Sequence, residues 1–195
     1  MNKELSTPIA GSAASASVSP WLRSAGIVLA GSILLAVCAH VSVPLWFTPV
    51  PLSLQPFGVL LLGLLLSPRM AVATVGTYLL EGAAGLPVFA PGPGGLAHLL
   101  GPTGGYLLAY PLAVLLISTL WRRTGRSFSA ALVSAGLGDL AILIGGALWL
   151  TIISHGSLLA SLSLTVVPFL PGDAIKVAAA AGVAASWQRL RRQTK

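Results

Sequence analysis

Residues 105–153 read GYLLAYPLAVLLISTLWRRTGRSFSAALVSAGLGDLAILIGGALWLTII. Two apolar runs, 105–121 and 128–153, flank a short connection that carries Arg122, Arg123 and Arg126. Runs this long and this apolar satisfy their backbone internally as helices and are at home in lipid. The three arginines belong at a membrane surface, and their density on so short a connection marks that surface as cytoplasmic.

The same alternation extends both ways along the chain. Arg23 precedes a first apolar run, 24–43, and Arg69 divides a second, 54–66, from a third, 69–81. Arg189, at the end of the last run, 173–190, and then Arg191, Arg192 and Lys195 close the chain. The intervening connections 44–55, 82–104 and 154–171 hold no Lys or Arg, as short outer loops should. The pattern predicts an all-α integral membrane protein: a bundle of six transmembrane helices, both termini cytoplasmic, with structured outer loops. The second and third runs fall short of the roughly 20 residues of a full crossing and are expected to rely on burial inside the bundle. A seventh crossing over 157–170 would put the C-terminal cations outside, so that stretch reads as a short helix at the outer surface.

Residues 1–22 are rich in Ser, Ala and Pro and lack a basic segment abutting an apolar core. They read as a disordered cytoplasmic tail and not a cleaved signal, followed by a membrane domain over 23–192 and a cytoplasmic end over 193–195. Trp21, Trp121 and Trp187 fall near expected cytoplasmic ends and Trp46 and Trp149 near outer ends, as an aromatic belt would; Trp149 has an equal claim to a packing role.

Composition narrows the function classes. A chain with 55% hydrophobic and 8% charged residues has more apolar surface than a soluble domain of 195 residues can hide. Its net charge of +7 lies at membrane edges and in the C-terminal tail, which argues against nucleic acid as a partner. Cys38 is the only cysteine, so no internal disulfide or cysteine cluster forms. His40, His98 and His155 are too scattered for a metal site and are expected in loops or interfaces. No nucleophile and base sit at a spacing that suggests an enzyme.

Ionisable groups at membrane depth are costly and point to function, and this chain has four: Glu81, Asp139, Asp173 and Lys176. Asp173 and Lys176 are three apart and share one side of the first turn of the last helix. About 24 Å of helix separates Asp173 from Arg189, which places the pair near the outer leaflet. One reading makes them an internal ion pair, with Asp173 also capping the helix. The other has Lys176 and the helix N-terminus receive polar groups of a small ligand while Asp173 accepts its N–H donors. Asp139, among glycines near mid-membrane, is expected to hydrogen-bond across helices, with a ligand or proton role as the alternative.

Two outer loops look built to close over something. Residues 82–105, GAAGLPVFAPGPGGLAHLLGPTGG, form a glycine- and proline-rich stretch too apolar for a solvated linker, carrying Val88, Phe89 and Leu96. A phosphate-binding loop is the rival reading, but none of Lys3, Lys176 and Lys195 follows a glycine. The other loop, PLWFTPVPLSLQP over 44–56, offers Trp46, Phe47, Ser53 and Gln55, or else is a stiff connection.

Four ordered motifs now stand in one chain: VPLSLQ at 50–55, LLEGAAGLPVFA at 79–90, GPTGGYLLAY at 101–110 and PFLPGDAIK at 168–176. Together they resemble the BioY family, the biotin-specific S components of energy-coupling factor (ECF) transporters, over about residues 44–190. The resemblance implies capture of biotin at the outer face of the bacterial cytoplasmic membrane, with the outer loops closing over the vitamin. It implies no cofactor in this chain: ATP is used by two cytoplasmic ATPase subunits acting through a transmembrane coupling protein. Small residues of the first helix, Gly26, Ala30, Ser32 and Ala36, are candidates for docking onto that protein, although such spacing also serves packing within a bundle.

Under the same resemblance Asp173 takes ureido N–H groups and Lys176 an oxygen, either the ureido carbonyl or the tail carboxylate. Gln55, Tyr78 and Phe89 join them as ligand-binding candidates. Ser53 stands where the family is expected to carry Thr. Glu81 is an acid where a small or aliphatic residue is expected, and it is either a ligand contact, a proton-coupling group or a carboxyl bonded inside the loop. Lipid is the remaining partner. The alternative is a solitary biotin transporter, facilitated or proton-coupled, working without the ATPase module and open to homo-oligomerisation.

Overall fold

The computed structural model describes residues 19–89 and 94–193. Most of the expected N-terminal tail, with Lys3, and the end of the chain, with Lys195, lie outside the described residues. The described residues form helices α1 (Pro20–His40), α2 (Gln55–Leu65), α3 (Pro68–Ala83), α4 (Leu96–Leu99), α5 (Gly104–Arg123), α6 (Phe128–Ser154), α7 (Leu158–Thr165) and α8 (Leu170–Gln193). Between α1 and α2, β1 (Ser42–Val43) pairs antiparallel with β2 (Leu52–Ser53). The apolar runs of the sequence reappear as α1, α2, α3, α5, α6 and α8, and 157–170 yields the separate short helix α7. Boundaries shift by a few residues: α1 starts at Pro20, inside the segment read as tail, and ends at His40, and α8 starts at Leu170, ahead of the expected 173.

Local chemistry explains the breaks. The residue before a proline is pushed to extended backbone, so α2 stops ahead of Ser67-Pro68 and α3 restarts with Pro68 in its first turn. Ser67, Ser127 and Ser157 each accept a backbone N–H three residues on, at 3.4, 3.2 and 3.2 Å, and so cap α3, α6 and α7. At its far end α6 closes on His155, whose φ of 49° is left-handed.

The long helices form a ring in the order α1, α3, α5, α6, α8, α2, with α2 also crossing to α5 and α6. That central place accounts for its brevity: most of its 11 residues are buried, among them Gly58, Leu60 and Leu64. α5 and α6 approach most closely through glycine, because a Cβ on Gly105 would stand 2.4 Å from Gly145 O and one on Gly145 3.0 Å from Gly105 O. By length and composition α1, α5 and α6 are candidate membrane spans, and α7 with α8, bent by 56°, makes a fourth. Large apolar side chains such as Ile33, Leu112, Val133 and Leu148 face outward, as lipid-facing helices require.

The interior divides in two. Towards the arginine-bearing junctions the core is aliphatic and small: Leu60, Leu64 and Ile117 pack with Ala131, Ala135, Ala180 and Ala184. The alanines leave room for Trp121, which is 1% exposed and is therefore a core residue, in contrast to the aromatic belt read from sequence. Towards the other, loop-rich end the core is aromatic, with Tyr78, Phe89, Tyr106, Tyr110 and Phe169. Trp149 at that end takes the packing role, its ring over Gly105 and its Nε1–H donating to Gly101 O at 2.9 Å.

Candidate functional site

A cavity occupies the loop-rich end, between α2, α3, α5, α6 and α8 and beneath the two loops. It holds about 580 Å³ of space not filled by protein atoms, part of it open to solvent.

Asp173 and Lys176 stand in its wall, and both are buried, at 3% and 9% exposure. Lys176 Nζ donates to Asp173 Oδ1 at 2.8 Å, so the pair expected from the spacing forms. Asp173 is past the capping position, because its own N–H already donates to Phe169 O at 2.8 Å; the cap part of the bland reading does not hold. Burying both charges against apolar neighbours costs several kcal/mol per ion before their attraction is counted. An ammonium and a carboxylate beside vacant space suit a polar ligand that adds the missing hydrogen bonds.

Three more candidates converge on the same space. Gln55, on the first turn of α2, donates from Nε2 to Tyr78 Oη at 2.8 Å, and Tyr78 donates on to Val88 O at 3.1 Å. This chain ties α2 and α3 to the loop that follows α3. Phe89, only 2% exposed, packs edge-on to Tyr78 at 5.3 Å between ring centroids and stacks on His98 at 5.2 Å. Gly82 makes the seat, since a Cβ there would stand 2.1 Å from Phe89 Cζ.

Glu81 does not reach the cavity. Its carboxylate accepts a hydrogen bond from Ser32 Oγ, which makes it a bond between α3 and α1. Of the docking candidates on α1, Gly26 and Ala30 lie on the exposed face, Ser32 is buried under Glu81 and Ala36 packs against the core. The small residues thus serve two different faces.

Two further lining residues, Tyr106 and Tyr110, were not singled out from sequence. Tyr106 and Tyr110 are one turn apart on α5, inside the GPTGGYLLAY motif, and that i, i+4 pairing of polar-tipped rings was the available signal. The ring of Tyr106 fits because α6 carries Gly146 opposite, where a Cβ would stand 2.3 Å from it. Its hydroxyl donates to Thr165 O at 2.6 Å, while Thr48 Oγ1 donates to Leu164 O at 2.8 Å. These two bonds hold the bend between α7 and α8 above the ion pair. His98, expected in a loop or interface, lines the cavity as well. So does Asp139, whose buried Oδ1 has no hydrogen-bond partner among the described residues; the cross-helix bond expected for it does not form at that oxygen.

The sequence pattern of the BioY family matches residues 6–193. A probable biotin transporter BioY from Pyrococcus horikoshii is 39% identical over 151 residues, covering 77% of this chain and 87% of that protein. The biotin transporter BioY of Thermotoga maritima is 40% identical over 171 residues, covering 87% and 96%. Among solved structures, a 2.1 Å crystal structure of the S-component for biotin from an ECF-type ABC transporter superposes with a TM-score of 0.75 and 28% identity, over 89% of this chain and 95% of that one.

Proposed function

The chain belongs to the BioY family, and from that premise we propose that it captures biotin at the outer face of the cytoplasmic membrane and carries it inward as the S component of an ECF transporter. The observation that carries the site assignment is the buried Asp173–Lys176 pair beside unfilled space. Biotin offers ureido N–H donors, a carbonyl and a tail carboxylate, with an apolar thioether ring between. Asp173 supplies an acceptor, Lys176 a cationic donor, and Tyr78, Phe89, Tyr106 and Phe169 an apolar wall.

Phe89 lines the cavity while only 2% exposed, held between Tyr78 and His98. In this reading biotin enters when the segment that carries Phe89 lifts, and the segment then returns. Phe89 is the cover and Gly82 the seat it closes on, with Gln55 and Tyr78 fixing the segment's root.

In the same reading the helices α1, α2, α3, α5, α6 and α8 of a domain spanning 23–192 cross the membrane six times. The arginine-bearing junctions and both termini then face the cytoplasm, by the charge rule. Gly26 and Ala30, on the exposed face of α1, allow close approach by a coupling protein that two ATPases drive.

The test is biotin binding by the purified chain in detergent, with a panel of other vitamins as controls. Saturable binding of biotin alone is expected, and absence of binding would remove the proposal. Uptake is then measured in a host without coupling proteins, with and without an uncoupler. Uptake that needs added coupling subunits supports the S-component role, whereas uptake abolished only by the uncoupler points to a solitary transporter.

A further inference from the structure

The cavity wall contains one acid that the ion pair leaves unused. Asp139 sits midway along α6, 7% exposed, and its Oδ1 is buried with no hydrogen-bond partner among the described residues. Its position is fixed from behind: a Cβ on the adjacent Gly138 would stand 2.3 Å from Ile117, so α6 lies tight on α5 there. Ile142 and Leu143, one turn further on, line the same cavity, which makes this face of α6 an apolar wall bearing a single carboxyl. Asp173 and Lys176 of α8 and Tyr110 of α5 all lie within electrostatic reach of it. A buried polar atom left unpaired is rare and costly, and here it belongs to a residue that lines the cavity.

The ligand's chemistry says what fills it. A cyclic urea carries two N–H groups that diverge on either side of its carbonyl. Asp173 already spends Oδ1 on Lys176, so its carboxylate serves one of them, and the other, if buried without an acceptor, would weaken binding. We propose that Asp139 is a ligand-contacting residue whose carboxyl accepts the hydrogen bond of the second ureido N–H. The assignment rests on the biotin reading above and deepens it: two acids on different helices read the two N–H groups separately.

The test is a cycle between protein and ligand, using the purified full chain, biotin, and two analogues each methylated on one ureido nitrogen. Loss of a hydrogen bond to a charged group weakens binding roughly tenfold to a hundredfold, and that is the loss expected for biotin on Asp139→Ala. One methylated analogue should bind the parent poorly and lose little more on Asp139→Ala, while the other analogue's loss adds in full. Full additivity for both analogues, or parent-like biotin binding by Asp139→Ala, overturns the assignment while leaving biotin capture intact. Failure of the parent chain to bind biotin overturns both. A purely structural role would shift all three ligands equally and lower thermal stability. Should Asp139→Ala not fold, the cycle is run on Asp139→Asn, whose amide oxygen keeps part of the affinity if the contact is real.

Discussion

Gly82→Ala isolates the cover from the rest of the fold. The added methyl would stand 2.1 Å from Phe89 Cζ and within 2.4 Å of both Cε atoms, so the ring tip points at the missing side chain. Reaching ordinary contact at 3.4 Å requires the ring to retreat by about 1.3 Å. It has little freedom to do so, held edge-on by Tyr78 and face-on by His98 at 5.3 and 5.2 Å. Overpacking of this kind costs about 1–3 kcal/mol. Since Phe89 belongs to a loop, the cost falls on closure and not on the helices. At about 1.4 kcal/mol per factor of ten, biotin should dissociate roughly 5- to 150-fold faster, with the unfolding temperature close to the parent's. The assay is the chase of labelled biotin from purified protein. A second variant sharpens it: Phe89→Ala alone speeds release, and adding Gly82→Ala to it should change nothing further, because the clash has lost its partner. An unchanged dissociation rate for Gly82→Ala, or additive effects in the double variant, would refute the seat-and-cover account.

The ion pair gives a second expectation. Lys176→Met or Asp173→Asn alone should abolish measurable biotin binding, and Lys176→Met should also cost about 3–5 kcal/mol of stability by leaving a buried charge unpaired. The double variant Asp173→Leu/Lys176→Met should recover the parent's thermal stability while still failing to bind; if it is as unstable as the single variant, the burial argument is wrong. Gly146→Ala should push Tyr106 off Thr165 O and destabilise the chain by about 1–3 kcal/mol, read from thermal unfolding. For orientation, reporters inserted at 125 and after 193 should both report the cytoplasm and one at 156 the exterior; any other result overturns the six-span topology.

Helix positions were legible because arginines and prolines punctuate the apolar runs, and these act locally. The Asp173–Lys176 pair was legible for the same reason, being three residues apart on one helix. What the sequence hid is set by contacts between distant segments. Sequence leaves Glu81 open between a ligand contact, a proton-coupling group and a bonded carboxyl until α1 presents Ser32 to it, and Asp139 open between a cross-helix bond and a ligand or proton role until α6 turns it onto the cavity. Trp121 sits beside arginines in sequence yet faces alanines of α6 and α8 in space. Tyr106 needed knowledge that Gly146, forty residues away, stands opposite.

The elbow at α7–α8 is held by Thr48 and Tyr106, and both grip main-chain oxygens, those of Leu164 and Thr165. A main-chain acceptor survives almost any replacement of the residue that owns it. At Leu164, which offers the joint only its carbonyl, a replaced side chain leaves the bond in place, whereas removing either hydroxyl, at Thr48 or Tyr106, takes one of the two grips away.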